Sequence, residues 1–127
     1  MDLLLDTHVF LWWDTESPQL GETACAAIAD PANRIFISAA SVWEISIKRA
    51  KGKLVFSGSP SAAISQNGFL PLAMDPMHAE AAGNLDWSHT DPFDRMLVAQ
   101  ARIQSLVLIH ADHIIADFHQ VPQLWAE

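Results

Sequence analysis

The chain has 127 residues, half of them apolar, so it is long enough to bury a core of its own, and we expect one domain, residues 1–127. Its 15 acidic residues outnumber 7 basic ones, and the net charge of −8 at pH 7 argues against a protein that coats nucleic acid by charge alone. Its single cysteine excludes an intrachain disulfide, and neither a signal peptide nor a membrane span is visible, so we expect a cytoplasmic protein.

Short apolar strands alternate with helices along the chain. Strands are predicted at residues 3–5, 34–38, 69–74 and 106–109, and Pro71 favours an edge position for the third. Helices are predicted at residues 9–13, 19–29, 41–50, 61–66, 77–85, 92–101 and 113–118, and the apolar segment 121–125 is expected to dock on the domain. This alternation predicts a three-layer α/β/α domain with a parallel central sheet.

One helix start carries an unusual acid. Asp91 is a good N-cap and Pro92 suits the first helical position, whereas Asp94 falls at the third. At helical spacing Asp94 begins a stripe that is otherwise apolar. It therefore either assists the cap or lies where the core opens onto a site. The apolar members of the stripe are Leu97, Val98 and Ala101.

Further acids follow the predicted strands. Asp6 and Asp112 come just after the first and fourth strands, and Glu44 lies early in the helix after the second. The carboxyl ends of parallel strands meet at one edge of a sheet, where ligands bind. Taken singly, these residues also fit turns, caps or, for Glu44 with Lys48, a surface ion pair. Together with Asp94 they indicate crowded carboxylates that a cation would neutralise.

The donor types predict which cation this is. Carboxylate oxygens without a cysteine cluster favour Mg²⁺ or Mn²⁺ over zinc. Such ions activate water and stabilise the leaving oxygen of a phosphodiester. A negative site that takes up a cation can then accept a negative substrate, so an enzyme acting on nucleic acid is compatible with the acidic composition.

The basic residues are unevenly placed. Four of the seven, Lys48, Arg49, Lys51 and Lys53, form a local positive patch. Lys48, Arg49 or Arg95 is predicted to contact a phosphate backbone.

Histidines and tryptophans carry less specific signals. A zinc site built from His8, His110 and His113 with Asp6 matches no zinc-ligand spacing, so polar surface or supporting roles are favoured. The tryptophans are predicted to serve the core and a dimer interface, with base stacking as the alternative. They are Trp12, Trp13, Trp43, Trp87 and Trp125. Of these, Trp43 is predicted to lie on the buried side of the helix at residues 41–50.

Four segments carry a resemblance that spans the chain. They are residues 3–8 (LLLDTH), 38–45 (SAASVWEI), 92–95 (PFDR) followed by 99–101 (AQA), and 110–112 (HAD). Together they resemble the PIN-domain ribonucleases, most closely the VapC-type toxins of bacterial toxin–antitoxin pairs. The chain departs from that pattern at His110, where family members often carry Thr or Ser.

The resemblance implies a function and a site. Asp6, Glu44, Asp94 and Asp112 would together hold Mg²⁺, with Mn²⁺ able to substitute, for endonucleolytic cleavage of RNA. Asp6 and Asp94 would be the foremost direct ligands. The resemblance also implies a homodimer, and a cognate antitoxin whose C-terminal segment occupies the site.

Two other classes of function remain open at this point. A carboxylate-based phosphohydrolase or phosphotransfer domain also places an acid after the first strand. The haloacid-dehalogenase type requires a second Asp at the position of His8, and the acid pair of a response-regulator receiver is not evident. The other alternative is a catalytically degenerate binding module of the same fold.

Overall fold

The computed structural model describes all 127 residues and contains a single five-stranded sheet. Its strands are β1 (Asp2–Leu5), β2 (Arg34–Ser38), β3 (Leu70–Leu72), β4 (Val107–His110) and β5 (Gln123–Trp125). They are ordered β3-β2-β1-β4-β5, and every neighbouring pair is parallel. The predicted parallel sheet is confirmed.

Seven helices connect and cover the strands. They are α1 (Thr7–Asp14), α2 (Glu22–Ala29), α3 (Ala39–Ala50), α4 (Pro60–Gln66), α5 (Pro76–Asn84), α6 (Pro92–Gln104) and α7 (His113–Ala116). Local capping explains where several of them begin. Asp75 forms a capping box with His78, and Pro76 occupies a first-turn position of α5. Pro92 occupies a first-turn position of α6, as predicted. None of the helices is both long and apolar enough to span a membrane.

The alternating side chains of β1 divide the core into two layers. Leu3 and Leu5 pack on one face with apolar residues of α1, α2 and α4, whereas Leu4 packs on the other face with α6. Each of these three leucines is fully buried. Because both faces of β1 are covered, its leucine run is continuous rather than alternating. The result is the predicted three-layer α/β/α fold.

Some local predictions differ from the structure. The segment that was expected only to dock forms β5 at the edge of the sheet, where Leu124 pairs with Ile109. The third strand is shorter than predicted, and Pro71 within it lies at the opposite edge, as expected. Trp43 was predicted to lie on the buried side of α3, but it is 56% exposed. Its ring instead contacts the ring of Phe93 edge-on, at a centroid distance of 5.4 Å.

The strand order fixes where a ligand can bind. From β1 the chain first builds the sheet in one direction through β2 and β3, and then returns to β4 and β5 on the other side of β1. This reversal leaves a crevice at the carboxyl ends of β1 and β4, the usual ligand position in such sheets. Asp6 and Asp112 follow these two strands directly or within two residues.

A buried polar network fixes the start of α3, the helix that carries Glu44. The Ser38 hydroxyl donates to Gln100 Oε1 (2.6 Å) and accepts from the backbone N–H of Ala40. The Gln100 amide nitrogen in turn lies 3.3 Å from both the Ala73 carbonyl and His78 Nδ1. Because Ser38 and Gln100 are fully buried, each of these polar groups depends on the others for its hydrogen bonds.

We expect Gln100→Leu to lower the free energy of unfolding by about 2–4 kcal/mol, because it leaves the buried Ser38 hydroxyl without an acceptor and removes one hydrogen-bond partner of His78. Chemical denaturation measures the change. Gln104→Leu is the control, since Gln104 is exposed and makes one contact with His78. Equal stability of the two variants would contradict a buried network that holds α3.

Candidate metal centre

A pocket of about 490 Å³ opens at the carboxyl ends of β1 and β4. The structure brings all four predicted site acids into its wall. Lys48 is the one lysine or arginine among the lining residues. The acids that line the pocket are Asp6, Glu44, Asp91, Asp94, Asp112 and Glu127.

Asp6 is the most deeply placed of these acids, with 6% of its surface exposed. It is the N-cap of α1 and accepts the backbone N–H of Val9 at 2.9 Å. Burial is the main cause that raises the pKa of Asp6 to about 7. The negative charges of Asp94, Glu44 and Asp112 contribute to this value, and the hydrogen bond from Val9 opposes it. A proton or a cation is therefore needed to stabilise this carboxyl group at neutral pH.

Glu44 is held by contacts to both of its oxygens. Thr7 donates its hydroxyl hydrogen to Oε1 (2.5 Å), and the Lys48 ammonium donates to Oε2 (2.6 Å). The Thr7 oxygen also lies 3.0 Å from the hydroxyl of Ser41. Glu44 thus reaches the pocket with its charge partly balanced, and its orientation is set by the residue that follows Asp6.

Asp94 lies in the first turn of α6 and is free of the capping role. Asp91 caps this helix, since its carboxylate accepts the backbone N–H groups of Phe93 and Asp94 at 2.9 and 3.0 Å. Asp94 Oδ2 is bonded instead to His89 Nε2 at 2.7 Å. Partial burial raises the pKa of Asp94 and the charges of Asp91 and Asp112 add to this, while the His89 hydrogen bond opposes them.

Asp112 is the N-cap of α7 and accepts the backbone N–H of Ile114 at 2.8 Å. His110 replaces the expected small hydroxyl residue without leaving a polar group unsatisfied. Its Nδ1 accepts the backbone N–H of Asp112 (3.1 Å), and its Nε2 pairs with Gln123 Oε1 (2.7 Å). Burial lowers the pKa of His110, which favours the neutral ring. Both ring nitrogens are hydrogen-bonded, to Asp112 and to Gln123 on the neighbouring strand.

One of the three predicted phosphate contacts, that of Arg95, needs correction. All five guanidinium N–H groups of Arg95 are directed at backbone carbonyls, so Arg95 has no donor left for a phosphate. Arg49 donates to the carbonyls of Phe56 and Gly58 and lies outside the pocket wall. Lys48 alone of the three lines the pocket.

The carboxylates fit a hard cation by their chemistry, although no three His, Cys, Asp or Glu side chains form a ready-made coordination group. Mg²⁺ keeps several of its waters and is commonly held by only one or two carboxylates. Asp6 is a suitable first ligand, because a cation would relieve the cost of ionising it. Asp94 suits the second position, since one of its oxygens has no protein partner among the hydrogen bonds of the structure.

Sequence reasoning missed two residues of the site. Thr7 and His89 contact Glu44 and Asp94, but neither belongs to the predicted set of acids. Their signal was positional: Thr7 directly follows the leading aspartate, and His89 stands two residues before the Asp91 cap. Asp91 was predicted to act as a cap, which the structure confirms, and it lines the pocket as well.

Comparisons with known proteins agree with this architecture. A model of the PIN domain family matches residues 3–122. The fold is similar to a chain of VapBC2 from Rickettsia felis bound to a promoter DNA fragment, with a TM-score of 0.68, 11% identity and complete coverage of both chains. It is also similar to DNA-bound VapBC from Salmonella typhimurium, with a TM-score of 0.68, 17% identity and 98% coverage of each chain.

A toxin–antitoxin complex from Klebsiella pneumoniae is similar as well, with a TM-score of 0.61, 17% identity and coverage of 96% of this chain and 95% of that one. No curated protein matches the chain significantly in sequence. At these identities the solved structures establish the shared fold. The family model spans nearly the whole sequence, and the chain therefore belongs to the PIN domain family.

Proposed function

We propose that this PIN domain is a Mg²⁺-dependent endoribonuclease that acts as the toxin of a toxin–antitoxin pair in the cytoplasm. The observation that carries the proposal is the meeting of Asp6, Glu44, Asp94 and Asp112 in one pocket at the crevice of the sheet. The family favours nuclease activity over a carboxylate-based phosphohydrolase. Retention of all four acids argues against a degenerate binding module.

The acidic side chains of the pocket would have different roles in catalysis. Bound Mg²⁺, or Mn²⁺ in its place, supplies positive charge and activation of water for phosphodiester hydrolysis. Asp6 and Asp94 would hold the ion, while Glu44 and Asp112 complete the acidic wall and orient water. Glu44 is suited to an orienting role because Thr7 and Lys48 already fix both of its oxygens.

Charge gives the order in which ion and RNA would bind. Six carboxylates repel a phosphate backbone until a cation balances part of their charge. Lys48 lines the same pocket and carries the positive charge closest to Glu44. Lys48 is therefore the protein side chain best placed to attract a phosphate once the ion is present.

We also propose two protein partners, an antitoxin and a second copy of this chain. The solved structures with the same fold include VapBC and other toxin–antitoxin complexes. Support for a dimer comes from large apolar side chains that remain exposed in the single chain. They are Trp43 on α3, Leu70 on β3, Met74 between β3 and α5, and Met77 on α5.

We expect the purified protein to cleave RNA with Mg²⁺ and to lose this activity in EDTA. Asp6→Asn and Asp94→Asn should each lower the cleavage rate at least about 100-fold, because both would remove a charged ligand of the ion. Gel analysis of a labelled RNA measures the rate. Glu22→Gln, which alters an exposed acid outside the pocket, is the control. Full activity of Asp94→Asn would show that Asp94 is not a ligand.

Folding stability should fall as pH rises if no metal is present. The pKa of Asp6 is about 7 in the fold against 3.8 in a free carboxyl group, so between these values the folded state binds the extra proton. The loss of folding free energy caused by ionising Asp6 is absent below about pH 4 and complete above pH 7. Asp6→Asn keeps a capping oxygen without the charge, and it should gain about 2–4 kcal/mol over wild type at pH 8 but nothing at pH 4.

Urea denaturation in EDTA measures this difference in stability, and Mg²⁺ should then stabilise the wild type more than Asp6→Asn at pH 8. Parallel pH profiles of the two proteins would contradict a buried Asp6 whose pKa is raised by the fold.

The protein should sediment as a dimer, and Trp43→Ser should shift it toward the monomer, because the substitution removes a large exposed apolar surface. Analytical ultracentrifugation measures the distribution. Val55→Ser is the matched control, since Val55 is 95% exposed in the loop before α4. A monomeric wild type, or a dimer that Trp43→Ser leaves unchanged, would contradict this interface.

A further inference from the structure

His89 is the only residue outside the acidic set that is hydrogen-bonded to the Asp94 carboxylate. It lies in the segment between α5 and α6, with its Nε2 2.7 Å from Asp94 Oδ2. An ionised carboxylate only accepts hydrogen bonds, so Nε2 carries the hydrogen and donates it. This bond occupies one oxygen of Asp94, and the other oxygen accepts no hydrogen bond from the protein.

The His89 ring is itself supported by aromatic packing. It lies against Trp87 with ring centroids 4.8 Å apart, and Trp87 packs against Phe118 at the same separation. Phe118 belongs to the core layer beneath α6. The imidazole therefore approaches Asp94 from a side that is anchored in the core.

Arg95 fixes the backbone of the same segment. Its guanidinium donates to the last carbonyls of α5 and to three carbonyls of the segment, at distances from 2.7 to 3.3 Å. One of these acceptors is the carbonyl of His89 itself, at 2.9 Å. Since Arg95 is the next residue after Asp94, a closed ring of contacts joins Asp94, Arg95 and His89. The five acceptors are Ala82, Gly83, Leu85, Trp87 and His89.

A contribution to stability does not explain this arrangement. Asp91 already caps α6, so the helix start does not need the Asp94 carboxylate. The side chains of His89 and Asp94 are 17% and 23% exposed, so their bond lies at the partly buried edge of the pocket and not within the core. The bond acts on the direction of the carboxylate, as the outer hydrogen bonds of metal-binding carboxylates do.

We propose that His89 is a positioning residue that orients the Asp94 carboxylate toward the cation. This inference rests on the proposed metal-dependent function, and it adds to the four acids a residue that does not contact the ion. The hydrogen bond donated by Nε2 orients the carboxylate, and the packing of the His89 ring holds Nε2 in place.

Two substitutions separate the donor from the ring. His89→Phe keeps the contact with Trp87 and removes the hydrogen bond, while His89→Gln loses the ring but can present an amide N–H near the Nε2 position. Mn²⁺ titration followed by electron paramagnetic resonance measures affinity independently of cleavage. His119→Phe is the control, since His119 is exposed and does not line the pocket. Circular dichroism verifies folding, and His89→Ala replaces the Phe variant if that variant does not fold.

We expect His89→Phe to weaken Mn²⁺ binding about 10-fold and His89→Gln to recover most of the loss, while His119→Phe matches wild type. Wild-type affinity in His89→Phe would overturn the positioning role and leave the metal site intact. Equal weakening in His89→Phe and His89→Gln would also overturn it, because the ring rather than its donor would then matter. A wild type that binds no Mn²⁺ would overturn the metal site and the positioning role together.

Discussion

A carboxylate shut away from water among other carboxylates is costly to ionise, and Asp6 is in this position. The fold offsets part of the cost with backbone dipoles. Asp6, Asp91 and Asp112 each accept N–H groups at the start of a helix, where the partial charge is positive. Lys48 balances Glu44 in a similar way. Three helix starts therefore converge on the pocket because its acids also serve as their caps.

The acids reach the pocket by two different routes. Asp6 and Asp112 follow the carboxyl ends of β1 and β4, and these ends are adjacent because the two strands pair in parallel. Glu44 and Asp94 come from helices, and each helix is fixed by a polar network of its own. Gln100 ties the start of α3 to α6, and the guanidinium of Arg95 ties the start of α6 to the end of α5. The precision of the site thus depends on contacts remote from its acids.

The fold and the four acids could be predicted from the sequence because both depend on local signals. Apolar strand runs, Asp-Pro helix starts and acids at strand ends each leave a recognisable pattern, and the helix ends were placed within about three residues. The roles of Arg95 and Trp43 depend on packing between segments distant in sequence. Charge alone suggested a phosphate contact for Arg95, and periodicity alone suggested burial for Trp43. Neither signal reveals the backbone carbonyls that bind Arg95 or the Phe93 ring that contacts Trp43, and these contacts determine where the two side chains lie.

Pro71 has a consequence for how molecules of this protein can associate. Edge strands expose unpaired N–H groups that can recruit a strand from another molecule and so begin aggregation. The proline ring leaves β3 without one such donor in the middle of its three residues, and at most a very short run of backbone can pair there. Continuous intermolecular sheet growth is therefore disfavoured along this edge. Copies that meet at the neighbouring apolar surface would recognise one another through side chains rather than through a shared sheet.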